Sequence, residues 1–336
     1  MAESPRAGGD WTTDRIGDQR GRVAVVTGAN TGVGFEVAKA LAARGATVIL
    51  ACRDTARGKD AVRRLKADSA GSADSASAAG SSAPSGSAIA GPADVRFQQL
   101  DLASLRSVRE AADRISADHP RLDLLINNAG VMWAPRGLTE DGFERHLGIN
   151  HLGHFALTGL LLPALVATPG SRVVVLSSPA HRRAAIDFDD LQSEKGYRAP
   201  RAYGQSKLAN LMFAYELDRR LRSADLPTAA LAAHPGGARS ELNRNMPWMF
   251  RGRNWGLARP ITHSVQRGAL PILRAATDPQ AHGGQYYGPD GRFEFTGGPT
   301  LIESTPLSHD AALQRRLWDA SEQLTQVSYE FSSLIR

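Results

Sequence analysis

From Arg22 onward, short apolar runs alternate with longer stretches whose apolar positions recur at helical spacing. Residues 22–27 (RVAVVT), 47–51 (TVILA), 95–100, 122–126, 172–176 (RVVVL) and 228–233 read as strands. Residues 34–44, 55–67, 105–117, 150–166 and 203–222 read as helices between them. The strands are near-continuous apolar runs, which marks a parallel sheet covered on both faces. Strands and helices in alternation predict an α/β, doubly wound (Rossmann-type) single domain over 21–336.

Three stretches fall outside this rhythm. Residues 1–20 are a polar lead-in with no apolar run of the kind a secretory signal needs. Residues 69–92 are almost wholly Ser, Ala, Gly and Pro, with Asp74 the only charge. Such a composition buries too little surface to offset its ordering entropy, so a flexible surface loop is expected. Residues 289–336 read as a C-terminal extension ending in an amphipathic helix at 311–324.

The net charge of +6 changes this picture little. Basic proteins often bind nucleic acid or anionic membranes. Here 35 of the 40 basic residues are arginine and no run of five like charges occurs, so ordinary surface sites account for the excess and no nucleic-acid partner is expected. The single cysteine, Cys52, rules out an intrachain disulfide and a Cys-based metal cluster; no metal is expected. The longest apolar stretch, 155–167, falls short of the roughly 18–20 residues of a membrane span and contains Pro163, so no integral membrane segment and a cytoplasmic location are expected.

Candidate chemistry begins where the first strand ends. Thr27-Gly28-Ala29-Asn30-Thr31-Gly32-Val33-Gly34 leads from strand into helix, the context a phosphate-binding glycine turn requires. Gly28 permits the turn, Gly32 lets backbone approach a pyrophosphate, and Gly34 lets helix and sheet pack closely. Free N–H groups at the helix start attract phosphate. A glycine turn without a ligand is the alternative. At the end of the second strand, an enzyme selecting NAD would place an acid for the ribose 2′-hydroxyl. This chain has Cys52 and then Arg53, whose guanidinium suits a 2′-phosphate, although Asp54 could neutralise it.

Tyr203 and Lys207 are four apart on a helix, hence on one face. A nearby ammonium lowers the tyrosine pKa from about 10 toward a range useful for proton transfer. An ordinary amphipathic helix would show the same spacing. Only five of 40 basic residues are lysine, and arginine could not easily replace a compact ammonium here. Ser178 follows the fifth strand, where a hydroxyl can bond a substrate oxygen.

The glycine turn, Asn127-Asn128-Ala129-Gly130 and Tyr203-x-x-x-Lys207 together resemble the short-chain dehydrogenase/reductase family from about Gly21 to Gly288. Ala51-Cys52-Arg53-Asp54, Ser178-Pro179-Ala180-His181, Leu191-Gln192-Ser193-Glu194-Lys195 and His234-Pro235-Gly236 resemble its retinol-dehydrogenase-like branch. The resemblance implies Asn150, Ser178, Tyr203 and Lys207 as the catalytic set. Asn150 would support a proton relay, with a helix N-cap as its alternative role. It implies a cofactor surface from Gly28, Asn30, Thr31, Gly32, Val33, Gly34, Arg53, Asp101, Leu102, Asn127, Ala129, Gly130, Pro235, Gly236 and Ser240, together with Tyr203 and Lys207. In that scheme Asp101 meets adenine, Asn127 helps hold the cofactor strand and Ser240 bonds the nicotinamide amide. It further implies NADP(H) rather than NAD(H), a bulky apolar carbonyl or alcohol substrate, and a substrate lid over 241–260. A homodimer or tetramer would pair through the helices at 150–166 and 203–222. A non-catalytic NADP(H)-binding sensor or scaffold, a C=C reductase and a sugar-nucleotide epimerase or dehydratase remain alternatives.

Overall fold

Side chains on a strand alternate between the two faces of its sheet, and here each face has its own apolar layer. On β1 (Val23–Thr27), Val25 enters one core and Ala24 and Val26 the other. On β4 (Leu124–Asn127), Leu125 joins the first core while Leu124 and Ile126 join the second; β5 (Arg172–Leu176) divides Val173 and Val175 from Val174 and Leu176 in the same way. The structure, a computed structural model, describes residues 11–78, 93–238 and 262–334.

With β2 (Thr47–Cys52), β3 (Val95–Gln99), β6 (Ala229–Ala233), β7 (Tyr286–Pro289) and β8 (Pro299–Leu301), the sheet runs β3-β2-β1-β4-β5-β6-β7-β8. Every pairing is parallel except β7 with β8. Helices α1 (Gly32–Ala42), α2 (Thr55–Ala78) and α6 (Val265–Thr277) cover one face. Helices α3 (Leu105–Asp118), α4 (Gly153–Val166), α5 (Ala199–Ser223) and α7 (Ala311–Thr325) belong to the other. This is the doubly wound fold expected.

Four local expectations change. Helix α2 runs on to Ala78, so residues 69–78, expected as loop, are helical. Extending a formed helix costs far less than nucleating one, and the alanines spread through the segment are the strongest helix formers. The polar lead-in is anchored by Trp11 and Ile16, both buried in the α1-side core. Helix α5 starts at Ala199, one turn early, because Pro200 suits a first turn. Leu147–Leu152 forms a π-helical turn that runs directly into α4. Among the described residues, Leu147–Val166 is therefore long and apolar enough to cross a membrane, contrary to expectation, but 72% of that window is buried inside the fold.

Candidate active site

In an open parallel sheet, a crevice opens where the chain reverses its direction of winding. That point lies between β1 and β4, and a cleft of about 1890 Å³ runs across the strands' carboxyl ends. This exceeds the roughly 300–1,000 Å³ of a drug-sized pocket, giving room for a dinucleotide beside a substrate.

Gly28, Asn30, Thr31, Gly32, Val33 and Gly34 line one stretch of the cleft. Gly28 turns with φ +66°, a left-handed conformation that favours glycine. A Cβ at Gly34 would lie 2.4 Å from Asn128 Nδ2 and 2.8 Å from the Gly28 carbonyl, so only glycine lets α1 start this close to β4. Thr31 precedes α1 without capping it through its side chain, and no acid lies in the first turn. Those features suit a phosphate at the helix start.

At the end of β2, Cys52 is buried, and that burial pushes its thiol up to about 11. Arg53 is exposed on the cleft rim, and Arg57, one turn into α2, joins it there. Asp54 Oδ1 accepts from the Arg57 backbone N–H at 3.0 Å, at the start of α2. Asp101 and Leu102, just past the neighbouring β3, also line the cleft, with Asp101 Oδ1 accepting from the Ala103 N–H at 3.0 Å.

Ser178, Tyr203 and Lys207 converge at the other end. Both serines line the cleft, but Ser177 Oγ is buried and committed to the Lys207 carbonyl at 2.8 Å, while Ser178 stands beside Tyr203. Tyr203 and Lys207 are 5% and 4% exposed, so neither is a surface residue of an amphipathic helix. Lys207 Nζ donates to the Leu176 carbonyl at 3.0 Å and sits 5.9 Å from the Tyr203 ring centre. Burial lowers its pKa to about 8. The expected lowering of the tyrosine is not found. Burial raises the Tyr203 pKa and the Ser178 hydroxyl opposes it, with Lys207 not among the causes.

Asn150 lies in the π-helical turn, one layer behind the cleft. It caps no helix. Its Oδ1 accepts from the Val131 N–H (2.8 Å), and its Nδ2 donates to the Val131 carbonyl (3.0 Å) and to Ser206 Oγ (2.9 Å). A Cβ at Gly130 would lie 3.0 Å from Asn150 Oδ1 and 3.7 Å from Lys207 Nζ, so glycine brings the two together.

The short chain dehydrogenase family model matches residues 22–79 and 77–248. The chain belongs to the short-chain dehydrogenase family. It is an oxidoreductase of the retinol-dehydrogenase-like kind. Retinol dehydrogenase 12 of Mus musculus is 39% identical over 312 residues, covering 92% of this chain and 88% of that one. The crystal structure of an uncharacterized protein from Mycobacterium paratuberculosis, also 39% identical, matches with a TM-score of 0.74 over 96% of this chain and 99% of that one. The Pseudomonas aeruginosa RhlG/NADP active-site complex shares the fold, with 24% identity and a TM-score of 0.61 over 82% and 98% of the two chains.

Among the described residues that the short-chain dehydrogenase resemblance named, Asn127 and Asn150 do not line the cleft. Asn127 does not reach the cleft: it is fully buried and donates to Thr158 on α4 at 2.9 Å. Its neighbour Asn128 lines the cleft instead, bonding the Thr27 carbonyl at 2.7 Å and filling the space that Gly34 leaves. Ala129, Gly130, Pro235 and Gly236 line the cleft as expected. Ser240 and the 241–260 lid lie outside the described residues. Sequence reasoning missed Arg57, Met132, Trp133 and the β7–β8 tip, whose Phe293, Glu294 and Phe295 also line the cleft. Asp290-Gly291 and Gly297-Gly298, flanking that tip, were the available hairpin signal.

Proposed function

We propose that this chain interconverts a carbonyl and an alcohol with NADP(H), on a bulky apolar substrate, using Tyr203 as the proton donor and acceptor. The observation that carries this reading is the convergence of Ser178, Tyr203 and Lys207 on the cleft that the glycine turn also lines. When bound, the nicotinamide supplies or takes up the hydride. Preference for the 2′-phosphate rests on Arg53 and Arg57 at the end of β2, where an acid would select NAD. The NADP complex of a protein sharing this fold is consistent with it. The apolar substrate class rests on Met132 and Trp133 in the cleft wall and on a relative that is a retinol dehydrogenase.

Burial keeps the Tyr203 phenol protonated, ready to donate to a carbonyl oxygen. Ser178 stands beside that phenol and can donate to the same oxygen. Lys207, near 8, still carries its charge at neutral pH, 5.9 Å from the centre of the ring that bears the phenol. Asn150 fixes the Val131 backbone and leaves Lys207 facing the cleft beside Gly130.

Tryptophan-fluorescence titration with NADPH and NADH tests the cofactor preference. NADPH binds more tightly in the expected outcome, and Arg53→Ala removes the difference. Tyr203→Phe keeps NADPH binding and loses at least about 100-fold in kcat, the usual size of an acid/base contribution. Comparable turnover in that variant overturns the mechanism.

A further inference from the structure

Between the Asn127–Gly130 turn and the π-helical segment lies a short wall whose fixing in place the reading above leaves unexplained. Met132 and Trp133 line the cleft. Trp133 has φ +51°, a left-handed backbone uncommon for a bulky residue. Such a conformation persists only where its surroundings over-determine it, and here the segment is pinned on both sides.

On one side, Asn150 bonds both the N–H and the carbonyl of Val131. On the other, both polar groups of Ala134 are taken. Its N–H donates to His146 Nε2 at 3.2 Å, and its carbonyl accepts from the Tyr197 hydroxyl at 2.5 Å. An Nε2 that accepts requires the hydrogen on Nδ1. That Nδ1–H meets Glu144 Oε1 at 2.9 Å, with the Tyr197 oxygen at 3.2 Å. Glu144 is buried, and hydrogen bonds from His146 and Leu147 hold its carboxyl below the usual range against the opposing effect of burial. The Gln192 side chain, in the Leu191–Lys195 stretch, accepts from the Glu144 N–H at 2.7 Å. Gln205, two residues after Tyr203 on α5, donates to the Leu191 carbonyl at 3.0 Å. The His146 ring also stands edge-on to the Tyr203 ring, 6.1 Å between centres.

We infer that Trp133 is a substrate-specificity residue, and that Glu144, His146 and Tyr197 are positioning residues that fix it in register with Tyr203. The inference rests on the carbonyl–alcohol reading above and adds to it the wall against which an apolar substrate is measured. His146 touches both partners, the Ala134 backbone that sets Trp133 and the ring that carries the phenol. A shift of the Trp133 backbone therefore changes which substrates bring their carbonyl to Tyr203, without altering proton transfer itself.

The test compares all-trans-retinal, bulky and apolar, with benzaldehyde, using NADPH and the full chain. Removing one hydrogen bond by Tyr197→Phe lowers the retinal-to-benzaldehyde ratio of kcat/KM about fivefold, chiefly through the KM for retinal. NADPH affinity is unchanged. If the clamp acts through Trp133, the Trp133→Ala, Tyr197→Phe double variant handles retinal no worse than Trp133→Ala alone. Additive losses, or equal losses on both aldehydes, overturn the inference. Retinol binding to the NADPH-loaded protein, a complex that cannot turn over, follows the same order and gives a readout independent of chemistry. Absent retinol binding in the wild type overturns the assignment of the wall. Tyr203→Phe run alongside separates the two readings: retained turnover there sinks the mechanism, whereas a dead Tyr203→Phe with an unmoved selectivity ratio sinks only the clamp.

Discussion

A lysine placed between Leu176 and Gly130 has little room to become anything else. Its ammonium makes one bond to a carbonyl, faces a glycine that any side chain would crowd, and is almost fully buried. An arginine there would carry a larger planar head with five N–H groups to satisfy in a site shaped for three. Lys207→Arg is expected to lose about 100-fold or more in kcat while remaining folded, checked by steady-state kinetics beside circular dichroism. Retention of more than a tenth of the activity would show that charge alone suffices. Gly34→Ala tests the other end of the cleft. Its methyl would meet the Gly28 carbonyl backbone, which cannot swing aside, so NADPH binding should fall at least about tenfold in a fluorescence titration, with about 1–3 kcal/mol lost from stability. Residues such as Tyr203, Lys207 and Ser178 could be read from the sequence because their chemistry dictates type and spacing. Asn127 and Asn128 could not be told apart that way. Adjacent residues at a strand end face opposite sides, and a one-residue ambiguity in register exchanges them.

Among the elements, the parallel strands were legible because continuous apolar runs have few other uses. Helix α6 was not: Pro271 sits inside it and reads as a breaker. The short β7, with its Gly-Pro end, reads as a turn until β6 is there to pair with it. The π-helical turn has no sequence pattern at all, being one extra residue accommodated within a helix. It nevertheless delivers Asn150 to Val131 and brings its carbonyl to His154 Nδ1 at 3.0 Å. That helix and the turn after β5 also bury histidines whose pKa values burial lowers, His151 to about 4, His154 to about 3 and His181 to about 4. The unfolded chain protonates them near the reference value of about 6.5, whereas the folded chain does not until far lower pH. Their contribution is therefore fully present above about pH 6.5 and is lost as pH falls toward the folded values. Thermal midpoints should drop steeply from pH 6.5 to 5, with a net uptake of protons on unfolding. A flat midpoint over that range would show that these rings already carry their protons in the folded state.

For the whole molecule, the C-terminal extension packs against the helices through which self-pairing was expected. Pairing was expected through the helices at 150–166 and 203–222, but α7 of the same chain lies there. Trp318 stands edge-on to Phe155 of α4 with ring centres 5.1 Å apart, contacts Phe213 of α5 at 5.9 Å, and stacks under the Arg220 guanidinium at 4.4 Å. Tyr329 closes over the same cluster and donates its hydroxyl to the Phe155 carbonyl at 2.6 Å. His151, which precedes α4, bonds Ser321 of α7 at 2.8 Å. The apolar helix Leu147–Val166, long enough to span a bilayer, is sandwiched between sheet and α7 rather than presented to lipid. A second copy would have to displace this layer, and removing a buried tryptophan alone costs about 3–5 kcal/mol. Sedimentation velocity on the intact chain is therefore expected to give no species paired through α4 and α5. Trp318→Ala should destabilise the fold by that amount and uncover the α4–α5 face, so that self-association appears and strengthens with concentration. A wild-type dimer whose cross-links join α5 to α5 would show that α7 moves aside, and would return this face to the pairing role expected from the sequence.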